Sequence, residues 1–188
     1  MGFEGRGEDP LSAREHFTLG SIYEKRGESE LALREYKMAL KKDHHFPQAI
    51  IRLAELSYSM GQYRQSERYY RRAIELSPLS GDLYNNLSWV YLSQKKKLKK
   101  AESLISRAME LNPERKGYYL DTLGAIYIEQ HRYGEAIEVL ERAVSFFDET
   151  QLDPLSQVYR HLGTAYDLIG ERSKAEEAFK KARDALDR

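Results

Sequence analysis

The sequence of 188 residues contains no cysteine. Without cysteine the chain forms no disulfide, has no thiol nucleophile and offers no thiolate ligand for a zinc site. It also lacks an apolar run near the roughly 18 residues that span a bilayer, and its first eight residues carry no apolar stretch of the signal-peptide type. We therefore expect a chain that is soluble as given, with the cytoplasm as the default compartment and the periplasm left open.

The chain has no excess of either charge, since 30 basic residues balance 30 acidic ones. A general nucleic-acid binder normally shows a basic excess, so no nucleic-acid partner is expected. The histidines are scattered, without histidine or carboxylate partners at metal-ligand spacing on one helix face; they are His16, His44, His45, His131 and His161. Phosphate-binding glycine loops, HExxH and nucleophile-elbow motifs are missing as well. We therefore expect no catalysis, no cofactor and no metal.

What the sequence does contain is a block that recurs about every 34 residues. The clearest copy places small and large residues at fixed offsets: Tyr159, Leu162, Gly163, Tyr166, Gly170, Ala175, Phe179 and Ala182. A period of this length is typical of stacked helical hairpins, in which each unit contacts its neighbours. Apolar residues recur at helical spacing within each block, and no segment shows a competing strand pattern.

Small residues and Asp-Pro pairs predict how the hairpins are built. Close approach of the two helices of a hairpin is expected at Gly20, Ala54, Ser88, Gly124 and Gly163. The first helix of a hairpin is expected to end at Gly27, Gly61 and Gly170, where a left-handed backbone is favoured. Asp9-Pro10 and Asp153-Pro154 predict helix starts with aspartate as N-cap and proline at the first helical position.

This pattern resembles the tetratricopeptide repeat, in which W-x2-L-G-x2-Y is followed by A-x3-F-x2-A and a closing proline. Five copies fit, at about residues 13–46, 47–80, 81–116, 117–150 and 156–188, after a lead-in of residues 1–9 that we expect to be disordered. None of the five has tryptophan at the first motif position. The resemblance implies a single array over residues 10–188 and an all-α fold, a right-handed superhelical solenoid of about ten antiparallel helices.

The repeat period is broken in two places. One extra residue enlarges the inter-helix turn of repeat three, which carries a lysine run at residues 95–100, and about five extra residues form an insertion at residues 146–153. Insertions in repeat proteins lie in loops on one face, often a face that contacts a partner. A solvated turn and an ordinary loop are the simpler interpretations, although the lysines would also suit acidic protein segments, RNA or an anionic membrane.

The resemblance also implies which side chains face a partner, because the first helix of each repeat lines the concave surface through positions 2, 5, 9 and 12. The candidates for partner binding at these and adjacent positions are Phe17, Ile51, Tyr58, Asn85, Asn86, Trp89, Tyr118, Asp121 and Arg160. Trp89, the only tryptophan in the chain, falls in the middle of the predicted groove. The two-carboxylate clamp of the chaperone-tail-binding members is absent, since only Asn86 fits its pattern.

These features predict a non-catalytic protein–protein interaction scaffold that binds a peptide or helix of a partner protein in its concave groove. One alternative is a self-associating assembly subunit of a pilus, secretion or envelope complex, which would be a homo-oligomer. Another is a recruiting domain of a larger enzyme. At the C-terminal end we expect the charges of the last helix to cap the array, with pairing to another copy or a longer chain as the alternatives.

Overall fold

The computed structural model describes residues 9–148 and 150–186, and within this range it contains ten α-helices and no strand. The helices are α1 Ala13–Lys25, α2 Ser29–Lys42, α3 Pro47–Ser59, α4 Tyr63–Leu76, α5 Gly81–Ser93, α6 Leu98–Leu111, α7 Lys116–Glu129, α8 Tyr133–Val144, α9 Leu152–Leu168 and α10 Arg172–Leu186, with a short 3-10 helix at Pro113–Arg115. The prediction of an all-α fold is confirmed. The predicted disordered lead-in, apart from Asp9, lies outside the described residues.

Consecutive helices pair into hairpins: α1 with α2, α3 with α4, α5 with α6, α7 with α8, and α9 with α10. The hairpins correspond to the repeats in the sequence, because each predicted repeat contributes one pair. The chain divides into two compact units, one ending at Pro78 and one beginning at Leu79. Helices α1–α4 belong to the first unit and α5–α10 to the second.

In the first unit, large side chains of one helix fill the space that small residues leave on its neighbour. The ring of Tyr36 on α2 is fully buried and lies so close to Gly20 on α1 that a Cβ there would stand 2.7 Å from it. Ile50, Leu53 and Ala54 are fully buried on α3. Each large apolar side chain buried in this way contributes roughly 1.5–3 kcal/mol to folding.

The second unit repeats this arrangement three times. Its fully buried large side chains include Val90 on α5, Ile105 on α6, Tyr119 and Ile126 on α7, Leu140 on α8 and Val158 on α9. Gly163 on α9 faces the ring of Phe179 on α10, and an added Cβ would lie 2.7 Å from that ring. The close approaches predicted at Gly20, Gly124 and Gly163 are thus confirmed, because the helix spacing in those hairpins leaves no room for a side chain.

The turns inside the hairpins use left-handed residues, as predicted. Gly27, Gly61 and Gly170 have φ values of 77°, 70° and 83°. In the other two hairpins the same position is held by Lys95 and His131, with φ values of 51° and 60°. A left-handed backbone is costly for a residue with a Cβ, so these two turns store strain that glycine would avoid.

The predicted starts of two helices are wrong. Helix α1 begins after Ser12, whose hydroxyl accepts from the Glu15 N–H at 3.3 Å while the Glu15 carboxylate accepts from the Ser12 N–H at 2.8 Å. This reciprocal capping box satisfies two helix-end donors. The Asp9 carboxylate accepts from the Leu11 N–H before the helix begins and contacts the His16 ring, so it caps no N–H of the helix end. Helix α9 begins at Leu152 after Gln151, so the Asp153-Pro154 pair lies within its first turn. Across the described residues, none of the helices combines the length and the apolarity that crossing a bilayer requires.

Candidate functional site

The first helices of the three hairpins in the second unit lie side by side, because α7 contacts both α5 and α9. Their shared face lines a cavity of about 410 Å³, which we call the α5–α7–α9 cavity. The side chains around it are Asn85, Trp89, Tyr118, Asp121, Thr122, Phe147, Asp153, Pro154, Gln157, Arg160 and Leu186. A volume of this size falls within the range of pockets that bind small ligands or a few side chains.

Most candidates that the sequence places in this unit meet at the cavity. Asn85 and Trp89 reach it from α5, Tyr118 and Asp121 from α7, and Arg160 from α9. These positions share one stripe on each helix, so side-by-side packing brings the stripes together. The sixth candidate, Asn86, lies next to Asn85 in the chain but does not line the cavity.

The candidates in the first unit have neighbours of their own. The half-buried ring of Phe17 packs against Tyr36 and Phe46, with ring centroids 5.4 and 5.1 Å apart. Tyr58 meets the ring of Tyr63 edge-on at 5.7 Å, and Ile51 is half-buried on α3. Phe17 therefore contributes packing inside its own unit, whatever else it contacts.

Asp121 forms a buried polar junction at the base of the cavity. Only 6% of the residue is exposed, and its carboxylate accepts from His161 Nδ1 at 2.7 Å and from Gln157 Nε2 at 3.0 Å. One oxygen serves each donor, so the carboxylate ties α7 to α9. Asp121 is one of the predicted partner-facing residues, and in the structure its carboxylate is engaged within the unit.

Two further contacts hold α5 against α7 at the same face. The Thr122 hydroxyl donates to Asn85 Oδ1 at 2.8 Å, which fixes the side-chain amide of Asn85 with its nitrogen available to a ligand. The Tyr119 hydroxyl donates to Asp82 at 2.8 Å, and Arg115 lies 3.1 Å from the same carboxylate. Burial, followed by the hydrogen bond to Asp82, raises the pKa of Tyr119 well above its usual range, so it remains a donor.

Aromatic rings form the apolar part of the cavity. The half-buried Trp89 ring lies 6.3 Å from the ring of His161. Tyr118 has the Arg115 guanidinium 4.8 Å from its ring centroid and meets Phe147 edge-on at 5.0 Å. Cation and ring-edge contacts of this kind orient an aromatic side chain without removing it from the surface.

Phe147 is an aromatic wall residue that is not among the candidates from the sequence. It comes from the insertion after α8 and from none of the repeat positions, so the repeat pattern carries no information about it. Gly117 shows why the ring fits, because a Cβ at Gly117 would lie 2.9 Å from Phe147 Cζ. Gly117, in the first turn of α7, indicates that a large side chain packs against it. Which side chain does so depends on the path of the insertion, which the sequence does not show.

A buried histidine also has partners that the sequence did not reveal. His16, 3% exposed, lies between the Asp9 carboxylate at 2.5 Å from Nε2 and the Glu35 carboxylate at 2.7 Å from Nδ1. The carboxylates contact opposite nitrogens of the ring, so His16 on α1 bridges α2 and the segment before α1. Among the described residues, no three histidines or carboxylates are grouped in a way that would hold a metal ion.

Comparison with known proteins agrees with the repeat pattern. Two family models described as tetratricopeptide repeat match residues 51–116 and 117–188. The human Protein O-mannosyl-transferase TMTC3 is 29% identical over 118 residues, a match that covers 63% of this chain and 13% of that protein. The chain thus spans about one seventh of the length of the curated relatives it matches.

Solved structures share the fold at low sequence identity. MamA from Desulfovibrio magneticus RS-1 aligns with a TM-score of 0.76 and 20% identity, covering 93% of this chain and 94% of that one. PilW, described as a widely conserved type IV pilus biogenesis factor, aligns with a TM-score of 0.80 and 18% identity, covering 94% and 78%. At these identities the likeness concerns the architecture alone.

Proposed function

Because the chain belongs to the tetratricopeptide repeat family, whose fold is typical of protein-interaction scaffolds, we propose that it is a non-catalytic scaffold that binds a segment of a partner protein in the α5–α7–α9 cavity. The observation that carries this proposal is the combination of three aromatic rings with side-chain donors around one cavity. Aromatic and arginine side chains in partly desolvated pockets dominate the energetics of protein interfaces.

The aromatic rings supply the apolar contacts. Trp89, Tyr118 and Phe147 come from α5, α7 and the insertion, so a partner side chain that enters the cavity contacts three separate segments. Each ring is half-buried, which leaves area that a partner would remove from water. Desolvating this area against an apolar side chain supplies most of the binding free energy.

Polar groups at the cavity fix the orientation of the bound segment. The Asn85 Oδ1 atom is occupied by Thr122, while its Nδ2 atom has no acceptor in the described part of the chain. Arg160 is exposed, with its guanidinium directed to no carboxylate that the structure describes. Both groups donate hydrogen bonds, so they select backbone carbonyl or carboxylate oxygens on the partner.

The walls of the cavity are held in place before a partner arrives. Asp121 joins α7 to α9 through His161 and Gln157, and Asp82 joins α5 to α7 through Tyr119. A wall that is already ordered loses little conformational entropy on binding, so more of the contact energy appears as affinity. We assign Asp121 and Asp82 to positioning and the aromatic rings to contact.

The fluorescence of Trp89 provides the test. Trp89 is the only tryptophan in the chain, so a change in its emission reports binding at the cavity without an added label. Peptides selected on the purified chain from a random library should change the Trp89 emission as they bind. Arg160→Ala should weaken binding of the selected peptides. Arg142→Ala removes another exposed arginine, on α8 and outside the cavity lining, and should leave binding unchanged. Peptides that bind without changing the emission, or that respond equally to both variants, would show that binding occurs elsewhere.

Self-association is a second candidate function, supported by apolar side chains at the end of α9. Leu168 and Ile169 are adjacent in the chain and 48% and 47% exposed. Covering such a pair with a second copy would bury apolar area and give an assembly subunit of the kind considered from the sequence. Light scattering over a concentration series should then show a dimer that Leu168→Ser with Ile169→Ser abolishes, and a monomer at all concentrations would reject this candidate.

A recruiting role inside a larger enzyme is the third candidate. Its support is that the curated relatives are named as transferases and that the chain matches only 13% and 14% of their length. A transcript that continues in frame into a catalytic domain would establish it. A reading frame that encodes no catalytic domain on either side of this sequence would reject it.

A further inference from the structure

The turn between α5 and α6 and the first residues of α6 carry five lysines in residues 95–100, interrupted only by Leu98. Its backbone is unfavourable for these residues, since Lys95 and Lys97 are both left-handed with φ values of 51° and 55°. The hairpin turns at Gly27 and Gly61 have glycine at the position of Lys95. Strained residues of this kind persist where another requirement overrides local stability.

The charges of this turn are unfavourable as well. Lys97 is the N-cap of α6, Lys99 and Lys100 follow in its first turn, and that turn contains no acidic residue. The N-terminal end of a helix carries a partial positive charge, so cations there are destabilising. The sequence thus places lysines where the left-handed backbone disfavours any residue with a Cβ and where the helix dipole disfavours positive charge.

Neighbouring side chains neutralise only part of this charge. Lys95 Nζ lies 3.1 Å from Glu129, and Arg132 lies 3.1 Å from Glu102 and 2.5 Å from Glu135. The lysines left exposed, without a carboxylate partner that the structure describes, are Lys96, Lys99 and Lys100. Lys99 lines a broad cleft together with Lys95, Lys97 and Arg132. Lys96 and Lys100 are the neighbours of these lining lysines in the chain.

We propose that this lysine surface, made of Lys96, Lys99, Lys100 and the adjoining cleft, binds an aspartate- and glutamate-rich segment of a partner protein. It is a second docking surface, because its lining shares no residue with the α5–α7–α9 cavity. Unpaired ammonium groups attract carboxylates from a distance and raise the association rate. An acidic segment also offsets the unfavourable charge at the start of α6.

The surroundings favour an acidic protein segment over a nucleic acid. Single-stranded RNA binds where bases stack on open aromatic faces next to basic groups. Here the two nearby aromatic rings are already covered, since Lys97 Nζ lies 4.9 Å from the Tyr91 ring centroid and the Arg132 guanidinium lies 4.0 Å from that of Tyr127.

The same surroundings disfavour a membrane or a phosphate group. Peripheral binding to an anionic membrane normally combines basic residues with exposed apolar side chains, and the only apolar residue of the turn, Leu98, is half-buried. Phosphate is preferentially held by the planar fork of arginine. The one arginine of the cleft, Arg132, already donates to Glu135 and Glu102. Flexible lysine ammonium groups are left, and these suit carboxylates distributed along a peptide.

The test measures binding of a fluorescein-labelled peptide of glutamate and aspartate to the full chain by fluorescence anisotropy at low ionic strength. The variant Lys96→Gln, Lys99→Gln, Lys100→Gln should lower the affinity about tenfold, because it removes three exposed ion pairs that each contribute a small part of the binding free energy. The control variant Lys25→Gln, Lys37→Gln, Lys41→Gln makes the same change of net charge at exposed lysines of α1 and α2 and should retain the affinity.

A labelled uridine oligonucleotide and vesicles containing phosphatidylserine complete the experiment. Preference for the acidic peptide, lost only in the Lys96, Lys99, Lys100 variant, supports the proposal. Stronger binding of RNA or vesicles, an equal loss in both lysine variants, or no binding of the acidic peptide would overturn it. Peptides of the α5–α7–α9 cavity should bind the lysine variant normally, so failure of this proposal is distinguishable from failure of the proposed function.

Discussion

Phe147 meets the ring of Tyr118 edge-on, with ring centroids 5.0 Å apart and ring planes at 89°. Tyr118 lies at a repeat position of α7, whereas Phe147 belongs to the insertion that breaks the repeat. The contact therefore places an element from outside the repeats against the face that the repeats form. One wall of the α5–α7–α9 cavity depends on this pair.

Phe147→Ala should lower the free energy of unfolding by about 1–2 kcal/mol, because it removes a half-buried ring and its edge-on contact. Phe146→Ala is the matched control, since Phe146 is the neighbouring residue with a side chain 46% exposed. Urea denaturation of both variants measures the difference. Equal losses would show that the Phe147 ring contributes no more to stability than the exposed ring of Phe146.

Gly163→Ala should lower the free energy of unfolding by about 1–3 kcal/mol, because the added methyl would overlap the Phe179 ring and force the α9–α10 hairpin apart. Gly134→Ala adds the same methyl to α8 where no atom lies within 4 Å, and it should raise stability by about 0.5–1 kcal/mol through helix propensity. Thermal unfolding of the pair gives the comparison. Changes of the same sign would contradict the assigned helix spacing.

Lys95→Gly should stabilise the chain by about 0.5 kcal/mol. Relief of the left-handed strain exceeds the entropy cost of glycine, and the ion pair with Glu129 is worth little because the Lys95 side chain is 72% exposed. Gly170→Ala, which places a Cβ at the corresponding left-handed position of the last hairpin, should destabilise. A loss of stability in Lys95→Gly would mean that the lysine stabilises the turn and that the strain argument fails.

Because the Tyr36 phenol is buried, we expect the free energy of unfolding to depend on pH in the alkaline range. Burial, followed by its hydrogen bond to Glu24, raises the pKa of Tyr36 to about 12 from a usual value of 10.0. The folded chain then holds the phenol proton more tightly than the unfolded chain, so the free energy of unfolding falls as pH rises from about 10 to about 12. Below pH 10 the contribution is fully present.

Tyr36→Phe should make that alkaline decline shallower. Chemical denaturation at a series of pH values measures the slope for both proteins, and Tyr133→Phe, which removes a hydroxyl beside the exposed His131, serves as the control. The same slope in the native protein and in Tyr36→Phe would show that Tyr36 ionises normally in the folded chain.

Much of the fold follows from local chemistry that the sequence displays. Helices end at Gly27, Gly61 and Gly170 because only a residue without a Cβ adopts the left-handed backbone without a steric penalty. A single glycine in the sequence is therefore enough to predict the helix end. Gly20 similarly implies a large neighbour one helix away, which Tyr36 provides. The start of α1 was misplaced because Asp9 and Ser12 are both acceptable N-caps, and the outcome depends on whether Glu15 can reciprocate.

The site was less predictable, for physical reasons. The helical period placed Asn85, Trp89 and Tyr118 on faces that meet, since side-by-side packing of first helices follows from the repeat. It did not reveal that Asp121 is taken by His161 and Gln157, because those donors lie on another helix at distances set by packing. The position of Phe147 could not be predicted either, because an insertion has no repeat periodicity from which the placement of its side chains follows.

The most direct test of the account is the affinity of a library-selected peptide for the native chain and for Trp89→Ala, measured by calorimetry, with circular dichroism to confirm unchanged helicity. We expect Trp89→Ala to lose about 2 kcal/mol of binding free energy, roughly thirtyfold in affinity, because tryptophan is the largest of the aromatic side chains that line the cavity. Trp89→Phe should retain part of the binding. Equal affinity of the native chain and Trp89→Ala would contradict the account and remove the α5–α7–α9 cavity as the binding site.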